Sequence, residues 1–162
     1  MKGIDFYKYN KIFGLIAGLF AFIVFALTVE PTASYWDCAE YISTSAKLQI
    51  GHPPGAPLFQ MLGAIFSILA FDVSQIAYAV NMMSVFSSAM TIMFLFWSIS
   101  LIGKQLLKTS RFLNFNDAFK IFGASFLGSI SFTFTDSFWF NAVEAEVYAM
   151  ATLILSALFG LV

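Results

Sequence analysis

Asp37 and Glu40 are the residues best suited to move a proton, because they stand three apart in the run Trp36-Asp37-Cys38-Ala39-Glu40-Tyr41. On a helix that spacing projects both carboxylates from one face. The plain alternative is an ordinary solvated acidic face. Tyr35, Trp36 and Tyr41 are interface-seeking rings that would hold the pair at lipid headgroup depth. There partial desolvation raises a carboxylate's basicity toward that of a working general base. The next chemically distinctive stretch is Gly51-His52-Pro53-Pro54-Gly55-Ala56-Pro57, which carries the only histidine. Tandem prolines fix the backbone and the glycines allow a close approach, so the stretch reads as a rigid corner. His52 can donate to a phosphate oxygen or a sugar hydroxyl there, or simply satisfy a backbone carbonyl. Glu144 and Glu146 open the last apolar segment. Helix-start acids are favoured by the helix dipole, but a glutamate entering an apolar run is costly, which makes Glu146 the stronger functional candidate. One histidine argues against a histidine-rich metal site, although carboxylates such as Asp37 and Glu146 can hold a divalent cation. Cys38, the single cysteine, cannot form an internal disulfide and reads as a packing residue.

The elements that must position these residues are membrane helices. The chain is 60% hydrophobic, 19% aromatic and only 10% charged, with 21 phenylalanines, far outside the range of soluble domains. Nothing supports nucleic-acid binding, since no basic tract is interleaved with aromatics. Expected spans are about 12–29, 76–103, 121–140 and 147–162. An external loop at 30–75 would contain an interfacial helix at about 56–71, too short and too interrupted by Gln60 and Gly63 to cross. The lysines at 2, 8 and 11 precede the first span, which reads as a retained anchor with a cytoplasmic start. If 56–71 stays outside, Lys104, Lys108, Arg111 and Lys120 fall on the cytoplasmic side, as the positive-inside rule prefers. The same parity puts Asp37, Glu40, Glu144 and Glu146 on one external face. Asp136 reads as a helix-end residue, Asp72 as the end of the interfacial helix, and Asn81 as a polar contact between helices. The segment 147–162 stops without a polar flank, so the chain is expected to be the amino-terminal part of one larger membrane domain.

Taken together, Trp-Asp-Cys-Ala-Glu-Tyr, Gly-His-Pro-Pro-Gly-Ala-Pro-Leu some ten residues on, and the span entry Val-Glu-Ala-Glu-Val-Tyr-Ala-Met resemble the GT-C superfamily of membrane glycosyltransferases. The resemblance is to the bacterial branch related to the animal transmembrane protein O-mannosyltransferases, and it runs from about Lys11 onward. It implies an all-α polytopic bundle in the bacterial inner membrane, with its site facing the periplasm or exterior. The implied reaction moves a sugar, mannose by this analogy, from a polyprenyl-phosphate donor to a hydroxyl of a protein, at serine or threonine, or of a glycan acceptor, with inversion. Asp37 and Glu40 would then supply the base. His52, Pro53, Pro54, Tyr41 and Glu146 would contact donor or substrate, and any divalent cation would use Asp37 or Glu146. Relatives commonly carry Asp-Glu as neighbours where Cys38 follows Asp37 here, so the choice between Asp37 and Glu40 stays open. A transporter with acids along an ion pathway and a non-catalytic membrane scaffold are the competing readings.

Overall fold

A computed structural model describes residues 3–160. A short strand, β1 (Ile4–Asp5), leads into helix α1 (Phe6–Thr28); α2 (Cys38–Lys47) and α3 (Pro57–Ile68) follow, and a turn of 3-10 helix at Val73–Gln75 enters α4 (Ile76–Leu106). Strand β2 (Phe112–Leu113), then α5 (Phe115–Thr133), α6 (Asp136–Val143) and α7 (Val147–Gly160) complete the order. The architecture is an all-α membrane bundle.

Helix α1 begins six residues ahead of Ile12 because Asp5 caps it: the carboxylate accepts from the backbone N–H of Tyr7 at 3.1 Å and of Lys8 at 3.5 Å. Asp5 also pairs with Arg111 at 2.8 Å, and β1 runs antiparallel to β2, closing this basic end of the bundle. At about 1.5 Å per residue, the 23 residues of α1 measure about 34 Å, enough for a hydrocarbon core of about 30 Å. The 12 residues of α3 reach only about 18 Å.

Helices α1 and α4 pack antiparallel along their length. Near the basic end, Trp97 Nε1 donates to the carbonyl of Asn10 at 3.0 Å and Ser100 reaches the Asn10 side chain. Gly14 makes room for the indole: a Cβ there would lie 2.0 Å from Trp97 Nε1. Near the other end, Asn81 donates to the carbonyls of Glu30 at 2.7 Å and Thr32 at 2.9 Å. The polar contact of Asn81 is therefore to the chain leaving α1, and Cys38 Sγ lies 3.8 Å from its Oδ1. Asp72 does not end α3. It caps the 3-10 turn, accepting from the N–H of Ser74 at 2.8 Å.

The apolar stretch 121–140 divides between two helices, α5 and α6, bent by 66° at the break. Thr135 adopts an extended backbone ahead of α6, and its hydroxyl donates back to the Phe132 carbonyl at 2.8 Å. The bend turns Phe138 and Trp139 onto Phe25 of α1, at ring separations of 5.9 and 5.6 Å. Asp136 accordingly lies in the first turn of α6.

Two apolar clusters hold these parts. The larger joins α1, α4, α5 and α6 through Phe25, Val85, Ile92, Phe96, Phe122 and Phe138. The smaller joins Cys38 and Ile42 of α2, Phe59 of α3, Val80 and Met83 of α4, and Ala145 and Met150 around the start of α7. That second cluster draws Asp37, Glu40, Glu144 and Glu146 to the end of the bundle opposite the Asp5–Arg111 pair.

Candidate functional site

The acidic end is shaped by backbone before it is shaped by charge. Trp36 sits in the left-handed region, φ 62°, and is 90% exposed, turning the chain sharply into α2 just ahead of Asp37. Leu48, φ 48°, ends α2, and its N–H returns to the Ser45 carbonyl at 3.2 Å. The chain then doubles back, so that Gly51 and His52 pass beside Glu40. Across the Pro53–Pro54 corner, whose peptide is cis, the N–H of Gly55 donates to the His52 carbonyl at 2.8 Å.

Glu40 grips His52 with both oxygens. Oε1 accepts the His52 backbone N–H at 2.6 Å, and Oε2 lies 2.9 Å from ring Nδ1. A carboxylate accepts only, so Nδ1 carries the proton in this contact and Nε2 is left for another partner. These hydrogen bonds hold the Glu40 carboxyl below its ordinary value of 4.5, first through the His52 N–H and then through its ring. The His52 imidazole moves the opposite way, above 6.5, because of its hydrogen bond to Glu40 and then the charges of Glu40 and Asp37. The desolvation expected to raise basicity is thus outweighed at Glu40 by its bonds to His52.

Behind the grip stands Gln60, a buried polar residue of α3. Its Nε2 donates to Thr44 at 3.2 Å, and the Thr44 hydroxyl donates to the Glu40 carbonyl at 2.8 Å. Gly51 is where these groups meet: a Cβ would fall 2.9 Å from Gln60 Nε2 and 3.1 Å from Glu40 Oε1. Gln60 is a site residue that its sequence position signals only as a polar interruption of an apolar helix.

Asp37 is exposed and, among the described residues, its carboxylate takes no hydrogen bond. Tyr41 packs its ring 5.2 Å from Phe59 and 6.4 Å from His52. Burial raises the phenol's pKa above 10.0, and Glu146, Asp37 and Glu40 push it further. Glu146 precedes α7 and is only 9% exposed; burial, then the charges of Glu144 and Asp37, push its carboxyl up to about 7. Its neighbour Glu144 accepts a hydrogen bond from the Ser34 hydroxyl, and the Glu30 N–H donates to the Val143 carbonyl at 2.9 Å. These bonds staple the loop after α1 to the α6–α7 corner. Asp37, Glu40, Tyr41, His52 and Glu146 therefore share one end of the bundle, with Pro53 and Pro54 as the exposed rim beside them.

For a cation, the groups close enough to share one ion among the described residues are Asp37, Glu40 and His52, whose ligand atoms lie within 4.8 Å of one another. Two carboxylates and an imidazole suit a divalent ion, but Glu40 already spends both oxygens on His52, and Glu146 is outside the trio.

Apolar helices that lift carboxylates, a histidine and a proline corner to one end define a helical membrane protein with a polar, single-ended site. The family described as "Protein O-mannosyl-transferase TMEM260 N-terminal domain" matches residues 37–162, and the chain belongs to that family. Similar proteins are protein O-mannosyl-transferase tmem260 of Dictyostelium discoideum, 26% identical over 84% of this chain, and the Mus musculus TMEM260 of the same description, 26% identical over 85%. The chain spans 15% and 17% of the lengths of these relatives. No solved structure matches it.

Proposed function

We propose that the chain is part of an inverting GT-C glycosyltransferase that moves mannose from a polyprenyl-phosphate donor to a protein serine or threonine hydroxyl on the non-cytoplasmic face of a bacterial inner membrane. The observation that carries this reading is the division of labour between two carboxylates. Glu40 is committed to His52, and Asp37 is left open at the same end. Membership of a family described by protein O-mannosyl transfer supplies the class of reaction.

In this reading the acceptor hydroxyl oxygen attacks the anomeric carbon, and the C–O bond to the donor phosphate breaks with its electron pair leaving on the phosphate. Asp37 takes the hydroxyl proton as the oxygen attacks. The transition state resembles the oxocarbenium ion of inverting glycoside hydrolysis. Protonated His52, oriented through Nδ1 by Glu40, offers Nε2–H to the phosphate and offsets its charge. Tyr41 packs beside that ring. Glu146, its carboxyl pushed up to about 7 by burial and then by Glu144 and Asp37, is partly protonated at neutral pH and in that form donates a hydrogen bond at the edge of the site. A lipid phosphate is confined to headgroup depth, which is where Asp37 and the proline corner are placed in the proposed topology. The reaction needs no resident cofactor; a divalent cation at Asp37, Glu40 and His52 would instead neutralise the phosphate directly, and chelation distinguishes the two.

The test is a transfer assay on the protein in membrane vesicles, given radiolabelled polyprenyl-phosphate mannose and a serine- and threonine-bearing acceptor, with and without EDTA. The reading expects labelled acceptor in both conditions. Loss of label under EDTA moves the chemistry to a bound cation, and no label in either condition removes the mannosyltransferase reading.

A further inference from the structure

Away from the Glu40–His52 grip, a cavity of about 600 Å³ opens between the loop after α1 and the α6–α7 corner. Glu30, Ser34, Tyr35, Trp139 and Glu144 line it. Its size falls among ligand sites, which run from about 300 to 1,000 Å³.

Its two carboxylates are oriented and half-used. Glu30 Oε1 accepts from the Thr32 hydroxyl at 2.9 Å and from the Thr32 N–H at 3.3 Å, while its Oε2 takes no hydrogen bond among the described residues. Glu144, 7% exposed, uses Oε2 for Ser34 and leaves Oε1 without a protein donor among those residues. No lysine, arginine or histidine pairs with either carboxylate among the described residues. The free oxygen of each carboxylate is therefore open to a donor that enters the cavity. The walls also carry two aromatic rings of different character. Trp139 is fixed by stacking on Phe134 at 5.7 Å and by its edge contact with Phe25, whereas Tyr35 is 87% exposed and free to cover a ligand. Acceptor-only oxygens matched with amphipathic rings suit a ligand whose rim is all hydroxyl donors and whose face is C–H. They disfavour an anion.

We infer that this cavity is a subsite for a neutral hexopyranose ring, with Glu30 and Glu144 accepting from its hydroxyls and Tyr35 closing over its apolar face. The inference rests on the transferase reading for the sugar's role as the transferred group. Tyr35 is two residues from Asp37, and two residues of chain reach at most about 7 Å, so one wall of the cavity and the proposed base belong to the same short stretch of chain. The acidic walls keep the donor phosphate out of the cavity and leave it to His52.

The experiment is saturation-transfer NMR with methyl α-mannopyranoside on the protein in lipid nanodiscs, repeated for Glu30→Gln and Tyr35→Leu, alongside the donor KM of each in the transfer assay. Tyr35 is exposed and Glu30 half-buried, and circular dichroism checks that the helices persist in both variants. The subsite predicts saturation of the sugar C–H protons in the parent and an affinity weakened about 10-fold in Glu30→Gln, as loss of one charge-assisted hydrogen bond gives. It also predicts a comparable rise in donor KM with a smaller change in kcat. No saturation in the parent, or equal saturation in both variants, overturns it. Hexoside binding by a protein that transfers no sugar leaves the subsite standing and removes the transferase reading; transfer with unaltered KM in both variants does the reverse.

Discussion

At the scale of single residues, the grip of Glu40 on His52 has a definite pH range. Glu40 ionises below 4.5 in the folded protein, so its contribution to stability is present above that value and is lost as pH falls through the lowered pKa. His52 holds its proton above 6.5, so its contribution is complete below that value and is lost as pH rises through the raised pKa. Both contributions operate between those limits. NMR titration of the sole histidine is expected to show a pKa that drops toward 6.5 in Glu40→Gln; an unchanged value would mean that Glu40 does not hold the ring. Gly51→Ala should cost about 1 kcal/mol, the low end of overpacking, because the new Cβ meets the side-chain ends of Gln60 and Glu40, which can shift. Glu146 behaves in the opposite sense from Glu40. Its unfolded carboxyl ionises near 4.5 and the folded one near 7, so stability falls as pH rises between them. Thermal melts of the parent should show that fall, and melts of Glu146→Gln should lack it. The acids, the histidine and the proline corner were legible from type and spacing alone. That Glu40 is a partner of His52 was not, because the contact depends on how Leu48 reverses the chain, and no residue type announces that a leucine will take a left-handed backbone.

Among the elements, glycine substitutions separate packing from propensity. Gly14→Ala drives a methyl into Trp97 and breaks its bond to Asn10, with an expected loss of about 3 kcal/mol. Gly123→Ala meets nothing within 4 Å and should be neutral or gain about 0.5–1 kcal/mol from helix propensity. Chemical denaturation in detergent measures both, and equal losses would refute the packing described for α1 and α4. Hydropathy revealed the long helices, whose apolar runs are continuous. It could not reveal the bend between α5 and α6, since serines and threonines recur along 121–140 and Asp136 is its one charge, and the break follows from where Phe138 and Trp139 find Phe25. The early start of α1 was likewise hidden, because Asp5 acts through a cap and a pairing with Arg111, 106 residues away in sequence.

For the whole molecule, the chain is polarised: Lys104, Arg111 and the start of α1 lie at one end, and Asp37, Glu40, Glu144 and Glu146 at the other. Charge parity in the sequence anticipates this grouping, and the proposed orientation places the acids outside. Single-cysteine labelling in a Cys38→Ser background tests it. Lys47→Cys should react with a membrane-impermeant maleimide in intact cells, and Thr109→Cys only after permeabilisation; external labelling at 109 would invert the orientation. The central claim is that Asp37, freed by the commitment of Glu40 to His52, takes the acceptor proton during mannosyl transfer. The most direct measurement is the single-turnover rate of transfer from polyprenyl-phosphate mannose by Asp37→Asn and Glu40→Gln in membranes. Loss of a general base costs about 10²–10⁴-fold, and the account predicts a fall of that size in Asp37→Asn, with Glu40→Gln retaining part of the rate. Parental transfer by Asp37→Asn together with abolished transfer by Glu40→Gln would contradict it.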